Sequence, residues 1–107
     1  MSYKVIQPPN LVDGVSAVQL RSEIDHVLAD GVNTILIDLQ DVTFMNSSAI
    51  GALVAMLKAV SGRGGSLSLC SLNNQVRLVF ELSRMNQMFD IFADRQEFEQ
   101  KNGFTIS

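Results

Sequence analysis

The sequence alternates short apolar runs with longer segments in which apolar residues recur at helical spacing. The run from Thr34 to Leu39 is rich in β-branched and apolar residues, as expected of a strand covered on both faces. Four strands are predicted at residues 3–7, 34–39, 66–70 and 89–92. Four helices are predicted from a cap at Asp13 to about Gly31, from Ser47 or Ser48 to Val60, from a cap at Asn73 to Ser83, and over residues 95–101. This alternation predicts an α/β fold with a small, mostly parallel (mixed) sheet of about four strands and helices packed on it.

The chain reads as one folding unit. Of its 107 residues, 47% are hydrophobic and 18% are charged, which is enough apolar material for a core. Met85 and Met88 are expected to pack beneath the last strand, although methionine-rich surfaces can also bind partner proteins. We therefore predict a single domain over residues 1–107. The formal net charge of -3 and the lack of clustered Lys and Arg argue against nucleic acid as a partner.

Cysteine content and hydropathy point to one compartment. The single cysteine, Cys70, cannot form an internal disulfide, which favours a reducing environment and a buried, inert thiol. The opening residues, MSYKVIQPPN, lack the basic and apolar regions of a signal peptide. No apolar run approaches the roughly 20 residues of a bilayer span. We therefore expect a soluble, cytoplasmic protein.

The most informative segment is residues 38–51, DLQDVTFMNSSAIG. Asn46, Ser47 and Ser48 suit a helix start, because their side-chain oxygens accept hydrogen bonds from first-turn amides. Capping alone would explain them. The same free amides and the positive end of the helix also stabilise a phosphate, so a serine here can act as a switch on binding. Both interpretations are open at this point.

The helix after these serines has two unlike sides. The side predicted to face the core carries Ile50, Leu53, Val54, Leu57 and Val60. The opposite side carries small residues with one cation nearby, namely Ser48, Gly51, Ala52, Ala55, Ala59 and Lys58. A solvated face is usually richer in charge. The small-residue side is therefore either a docking face for a partner protein or a contact surface for another helix of the same domain.

The pair Asp38-Leu39 and the run VTFMNSSAIG at residues 42–51 together resemble the signature of the STAS domain, roughly D-L-S-x-V-x-F-[IM]-D-S-S-G-[IL]-G. That domain is shared by anti-sigma factor antagonists and the tails of sulphate transporters. Residues 62–70 and 76–82 are similar to the glycine-rich loop with its strand and to the next helix of the family. Asn46 and Ala49 stand where the family pattern has Asp and Gly.

The resemblance implies a STAS-like fold and an anti-sigma factor antagonist without an active site or cofactor of its own. Ser47 matches the serine that an anti-sigma factor serine kinase phosphorylates with ATP. The unphosphorylated antagonist binds the anti-sigma factor, phosphorylation breaks the complex, and a serine phosphatase restores it. The residues expected at the partner surface are Asp38, Asn46, Ser48, Ala49, Gly51, Ala52, Ala55 and Lys58. The alternative is an unphosphorylated STAS scaffold or adaptor subunit of a stress-signalling or lipid-transport complex.

Signals for catalysis are weak. The only histidine, His26, lies in the middle of a predicted helix, and no G-x-S-x-G motif accompanies it. Residues 61–65 are glycine-rich but lack the Gly-Lys-Ser/Thr ending of a P-loop. Asp38 and Asp41 lack the companion residues of a receiver-type magnesium site, and the ligands of a zinc site are missing. An enzyme of flavodoxin-like architecture is therefore the least favoured hypothesis.

Overall fold

The computed structural model of the protein describes residues 3–9 and 14–103, and these residues form an open parallel sheet. Its four strands are β1 (Lys4–Ile6), β2 (Thr34–Asp38), β3 (Ser66–Cys70) and β4 (Asp90–Phe92). They lie in the order β1-β2-β3-β4, and each neighbouring pair is parallel. The predicted α/β fold is confirmed. The sequence prediction allowed a mixed sheet, whereas the described strands pair only in parallel.

Helices cover both faces of this sheet. The helices of the described chain are α1 (Gly14–Ala29), α2 (Ser47–Gly62), α3 (Asn74–Leu82) and α4 (Arg95–Lys101), with a 3-10 turn at Met85–Gln87. Right-handed crossovers between sequential parallel strands send α1, α2 and α3 to the same face. Phe98 of α4 packs on the other face, against Leu36 and Cys70. None of these helices has the length and apolar character needed to cross a membrane.

Asparagine caps set the starts of α2 and α3. The Asn46 side-chain oxygen accepts from the Ala49 amide at 2.9 Å, and the Asn73 side-chain oxygen accepts from the Val76 amide at 2.8 Å. Each cap satisfies an amide that has no partner inside the helix. The predicted starts of these two helices are therefore confirmed. The cap predicted at Asp13 lies outside the described residues.

The two methionines after α3 occupy different environments. Met85 is partly buried against the main core, but Met88 is 43% exposed. Phe89 takes the interior position instead and packs edge-to-face on Phe80, with ring centroids 5.8 Å apart. The prediction that both methionines pack beneath the last strand is therefore wrong for Met88.

A close backbone approach fixes the turn between α2 and β3. A Cβ atom on Gly65 would lie 2.5 Å from the carbonyl oxygen of Asn33 and 3.0 Å from Cγ1 of Val60. The same Asn33 oxygen accepts the Ser66 amide at 2.8 Å. The oxygen cannot move away without weakening that hydrogen bond, so the position admits only glycine.

We expect Gly65→Ala to lower the free energy of unfolding by about 1–3 kcal/mol, because the added methyl group overlaps a fixed backbone oxygen. Gly62→Ala is the matched control, since a Cβ there meets nothing within 4 Å. The control should be neutral or slightly stabilising. Urea denaturation followed by circular dichroism measures both variants. Equal stability of the two would contradict the steric account.

Candidate functional site

The loop between β2 and α2, residues 39–46, is fixed at the carboxyl edge of the sheet. Leu39, Val42 and Met45 are fully buried in the main core. The Leu39 amide also donates to the carbonyl oxygen of Cys70, at the end of β3, at 2.9 Å. Close packing around three side chains leaves the loop little room to shift. Helix α2 therefore starts from a fixed point.

Asn73 ties this loop to α3. Its side-chain nitrogen donates to the carbonyl oxygens of Val42 at 3.1 Å and Thr43 at 3.3 Å, while its side-chain oxygen caps α3. The side-chain amide of Asn73 thus donates to the loop before α2 and accepts from the first turn of α3. The starts of α2 and α3 are held close together at the same edge of the sheet.

Ser47 is exposed and is the first residue of α2. Asn46 occupies the amide of Ala49, so the amides of Ser47 and Ser48 have no partner within the helix. The first turn of α2 contains no acidic residue. Free amides and the positive end of the helix dipole can stabilise a phosphate on the Ser47 hydroxyl, and no carboxylate of that turn opposes it.

The residues predicted at the partner surface fall into three groups. Those that are exposed are Asn46, Ser48, Gly51, Ala55 and Lys58. Ala52 is half-buried. Asp38 and Ala49 are 1% and 2% exposed, so their side chains offer a partner no surface. The prediction is corrected for these two: Ala49 faces the core from the first turn of α2, and Asp38 lies beneath α4.

A polar network explains the position of Asp38. Arg95 donates from Nε to Asp38 Oδ2 at 2.7 Å, and the Gln40 amide donates to Asp38 Oδ1 at 3.0 Å. Arg95 also donates from Nη2 to the Gln7 side-chain oxygen. Gln7 in turn donates to Asp41 at 2.9 Å. The network joins the ends of β1 and β2 to the start of α4, which is a structural role.

The small-residue side of α2 is partly covered by α1. Ala52 packs against the main core, while Ala55 stays exposed. Between the helices lies a shallow depression of about 240 Å³, lined by Ala17, Val18, Arg21, Ala52, Ala55 and Met56. Contact with a helix of the same chain, one of the two interpretations of this side, therefore applies to Ala52.

A larger hollow, of about 340 Å³, lies on another side of α2. It is lined by Ser47, Ile50, Gly51, Val54 and Lys58 of α2 and by Ser83, Met85 and Met88, and we call it the methionine groove. The sequence did not indicate this groove, because Val54 was expected in the core and the methionines were expected chiefly beneath the last strand. The spacing of Ser47, Gly51, Val54 and Lys58 along one helical face is a sequence signal for the α2 wall.

Cys70 is buried, and burial raises the pKa of its thiol to about 11. The thiolate, which is the reactive form, is therefore scarce near neutral pH. The expectation of a buried thiol is confirmed. Across residues 3–9 and 14–103, no group of three or more His, Cys, Asp or Glu side chains is placed to hold a metal ion.

Comparison with known proteins assigns the fold to a family. The STAS domain matches residues 2–98 of the chain. The chain belongs to the STAS domain family. The anti-sigma-B factor antagonist of Bacillus subtilis (strain 168) is 32% identical over 82 residues, covering 77% of this chain and 74% of that protein. The sequence-based identification of a STAS domain of the anti-sigma factor antagonist type is confirmed.

Solved structures agree with the assignment. The Thermotoga maritima protein TM1081 superimposes with a TM-score of 0.81 at 26% identity, over 91% of this chain and 84% of that chain. The anti-sigma factor antagonist SpoIIAA in its unphosphorylated form superimposes with a TM-score of 0.75 at 21% identity, over 99% and 94% of the two chains. At that identity SpoIIAA supports the STAS fold alone.

We expect Arg95→Met to lower the free energy of unfolding by about 1–3 kcal/mol, because it leaves the buried Asp38 carboxylate without its guanidinium partner. Arg21→Met is the matched control, since Arg21 pairs with Asp25 on the surface at 3.4 Å. An exposed pair of that kind contributes less than about 1 kcal/mol. Thermal and urea unfolding measure both variants, and a loss no larger than that of the control would count against the network.

A negative charge at residue 47 should leave the fold intact. We expect Ser47→Asp to keep or raise the free energy of unfolding by up to about 1 kcal/mol, because it complements the helix dipole. Ser61→Asp places the same charge in the last turn of α2 and should cost about 0.3–1 kcal/mol. Unfolding curves of both variants test the sign. A clear destabilisation by Ser47→Asp would show that the first turn does not accept an anion.

Proposed function

We propose that this protein is an anti-sigma factor antagonist that binds an anti-sigma factor serine kinase and is released when Ser47 is phosphorylated. The observation that carries the proposal is the exposed Ser47 hydroxyl at the first residue of α2, in a chain of the STAS family with antagonists among its relatives. The chain acts as a substrate and a binding partner. It has no catalytic role of its own.

The modification follows from the position of the hydroxyl. In the complex with the kinase, the Ser47 Oγ forms a bond to the γ-phosphorus of ATP while the bond from that phosphorus to the departing ADP oxygen breaks. The hydroxyl proton passes to a base of the kinase. The product carries about 1.5 to 2 additional negative charges. Asn46 and Ser48 flank the acceptor and remain accessible.

Phosphorylation affects the stability of the fold and the binding of the partner differently. The start of α2 stabilises the added charge, so the fold is retained. A partner docked over the same helix end must desolvate the phosphate or place its own groups against it, and both weaken the complex. The anti-sigma factor is then free to hold its sigma factor. A serine phosphatase in the cytoplasm returns the antagonist to its binding form.

The proposal is tested by incubating the protein with an anti-sigma factor serine kinase and ATP and locating the phosphate by mass spectrometry. Wild-type protein and Ser48→Ala should both be modified at Ser47, and Ser47→Ala should not be modified at all. Ser48→Ala is the matched control because Ser48 is also exposed in the same turn. Phosphate at Ser48 in the wild-type protein would contradict the assignment.

The binding step is measured separately with the same kinase, by calorimetry. Ser47→Asp should lower the affinity by at least about tenfold, which is a loss of about 1.4 kcal/mol. Ser61→Asp adds the same charge at the far end of α2 and should bind like the wild-type protein. Full affinity of Ser47→Asp would favour the alternative, an unphosphorylated scaffold or adaptor subunit.

A further inference from the structure

The methionine groove is a surface groove whose central part is apolar and partly exposed to solvent. Val54 and Met85 are half-buried, and Met88 is 43% exposed. Methionine side chains are flexible and polarisable and adapt to the surface of a partner. The groove is therefore suited to an apolar occupant.

The dimensions of the groove suit a helix. Its α2 wall runs from Ser47 to Lys58, which at about 1.5 Å per residue is a length of roughly 16 Å, or three helical turns. The groove lies between α2 and the chain that follows α3, and no strand residue lines it. An amphipathic helix fills such a hollow with residues spaced three and four apart.

The charged groups of the groove favour an occupant with negatively charged side chains. Lys58 is the one charged residue among those lining it, and no carboxylate contributes to its walls, although the whole chain carries a net charge of -3. Lys58 is exposed and belongs to neither of the salt bridges formed by the described residues. The other end of the groove is the positive start of α2. Both ends therefore attract acidic groups.

The depression beside α1 differs in this respect. Its cation, Arg21, is already paired with Asp25, and its volume is about 240 Å³ against about 340 Å³ for the methionine groove. A partner helix bound in this depression would therefore gain less binding free energy, both from contact and from charge attraction. The methionine groove is the better docking surface.

We infer that the methionine groove binds an amphipathic helix of the partner protein, with leucine-like residues along the contact face and carboxylates opposite Lys58. Identifying that partner as the anti-sigma factor kinase rests on the function proposed above. An acidic occupant also sharpens the switch, because a phosphate on Ser47 lies at the rim of the groove and repels carboxylates that approach it.

The probe is a pair of synthetic peptides of about 20 residues, long enough to be helical in water. Both carry the same leucine stripe in an alanine-rich sequence, and they differ only in having glutamate or lysine beside it. Each is titrated into isotopically labelled protein, and the methyl resonances of Val54, Met85 and Met88 are followed by NMR. The methyl groups of Val15 and Val18, 69% exposed on α1, report non-specific binding to another apolar surface.

The glutamate peptide should shift the groove methyl groups and bind at least about fivefold more tightly than the lysine peptide. Lys58→Glu should reverse this preference. Lys101→Glu, an equal charge change on α4 across the sheet, should keep it. In 1 M salt, where the screening length is about 3 Å, the preference should largely disappear. Because Lys58 is exposed, its substitution tests charge without disturbing the core.

Several outcomes would overturn the inference: shifts confined to Val15 and Val18, equal affinity for the two peptides, or no saturable binding of the glutamate peptide. The peptide titration and the kinase assay test separate claims, and either one can give a negative result without the other. Phosphorylation of Ser47 without groove binding would reject the groove alone. Groove binding without phosphorylation of Ser47 would reject the proposed switch and leave the docking surface standing.

Discussion

The burial of Leu39, Val42 and Met45 is the constraint on which the candidate site depends. These side chains hold the loop after β2 against the core, and Asn73 fastens its backbone from the side of α3. Without these anchors the start of α2 would have no fixed orientation relative to the sheet or to the chain after α3. The exposed serine and the methionine groove are both consequences of packing that happens underneath them.

Much of the fold could be predicted because its signals are local. Short β-branched runs and helical periodicity depend on neighbouring residues, and an asparagine cap at Asn46 or Asn73 is read from its position just ahead of an apolar helix. Right-handed crossovers between parallel strands could also be predicted, whereas the order of the strands is known only from the structure. The exposed position of Ser47 could be predicted for the same reason, since a helix start at the carboxyl edge of a sheet points its first turn towards solvent.

What could not be predicted depends on tertiary packing. Which side chains of α2 are covered depends on the elements that pack beside the helix. Ala52 is covered by α1, whereas Val54 borders the methionine groove. Met88 and Phe89 are adjacent and both apolar, and only the course of the 3-10 turn decides which enters the core. Asp38 is a different case. Alternation along β2 places it on the face opposite Ile37, so strand geometry alone indicates that its side chain points away from the face that α2 covers.

The neutral cap on α2 has a consequence for how long a modified state would last. Asn46 satisfies one amide and adds no charge, so a phosphate on Ser47 would meet free donors and no competing anion. Phosphate monoesters hydrolyse extremely slowly without a catalyst, and nothing in the first turn of α2 would repel the group. The lifetime of the phosphorylated form would then be set by a phosphatase. The protein would stay phosphorylated after the kinase had dissociated, until that enzyme removed the phosphate.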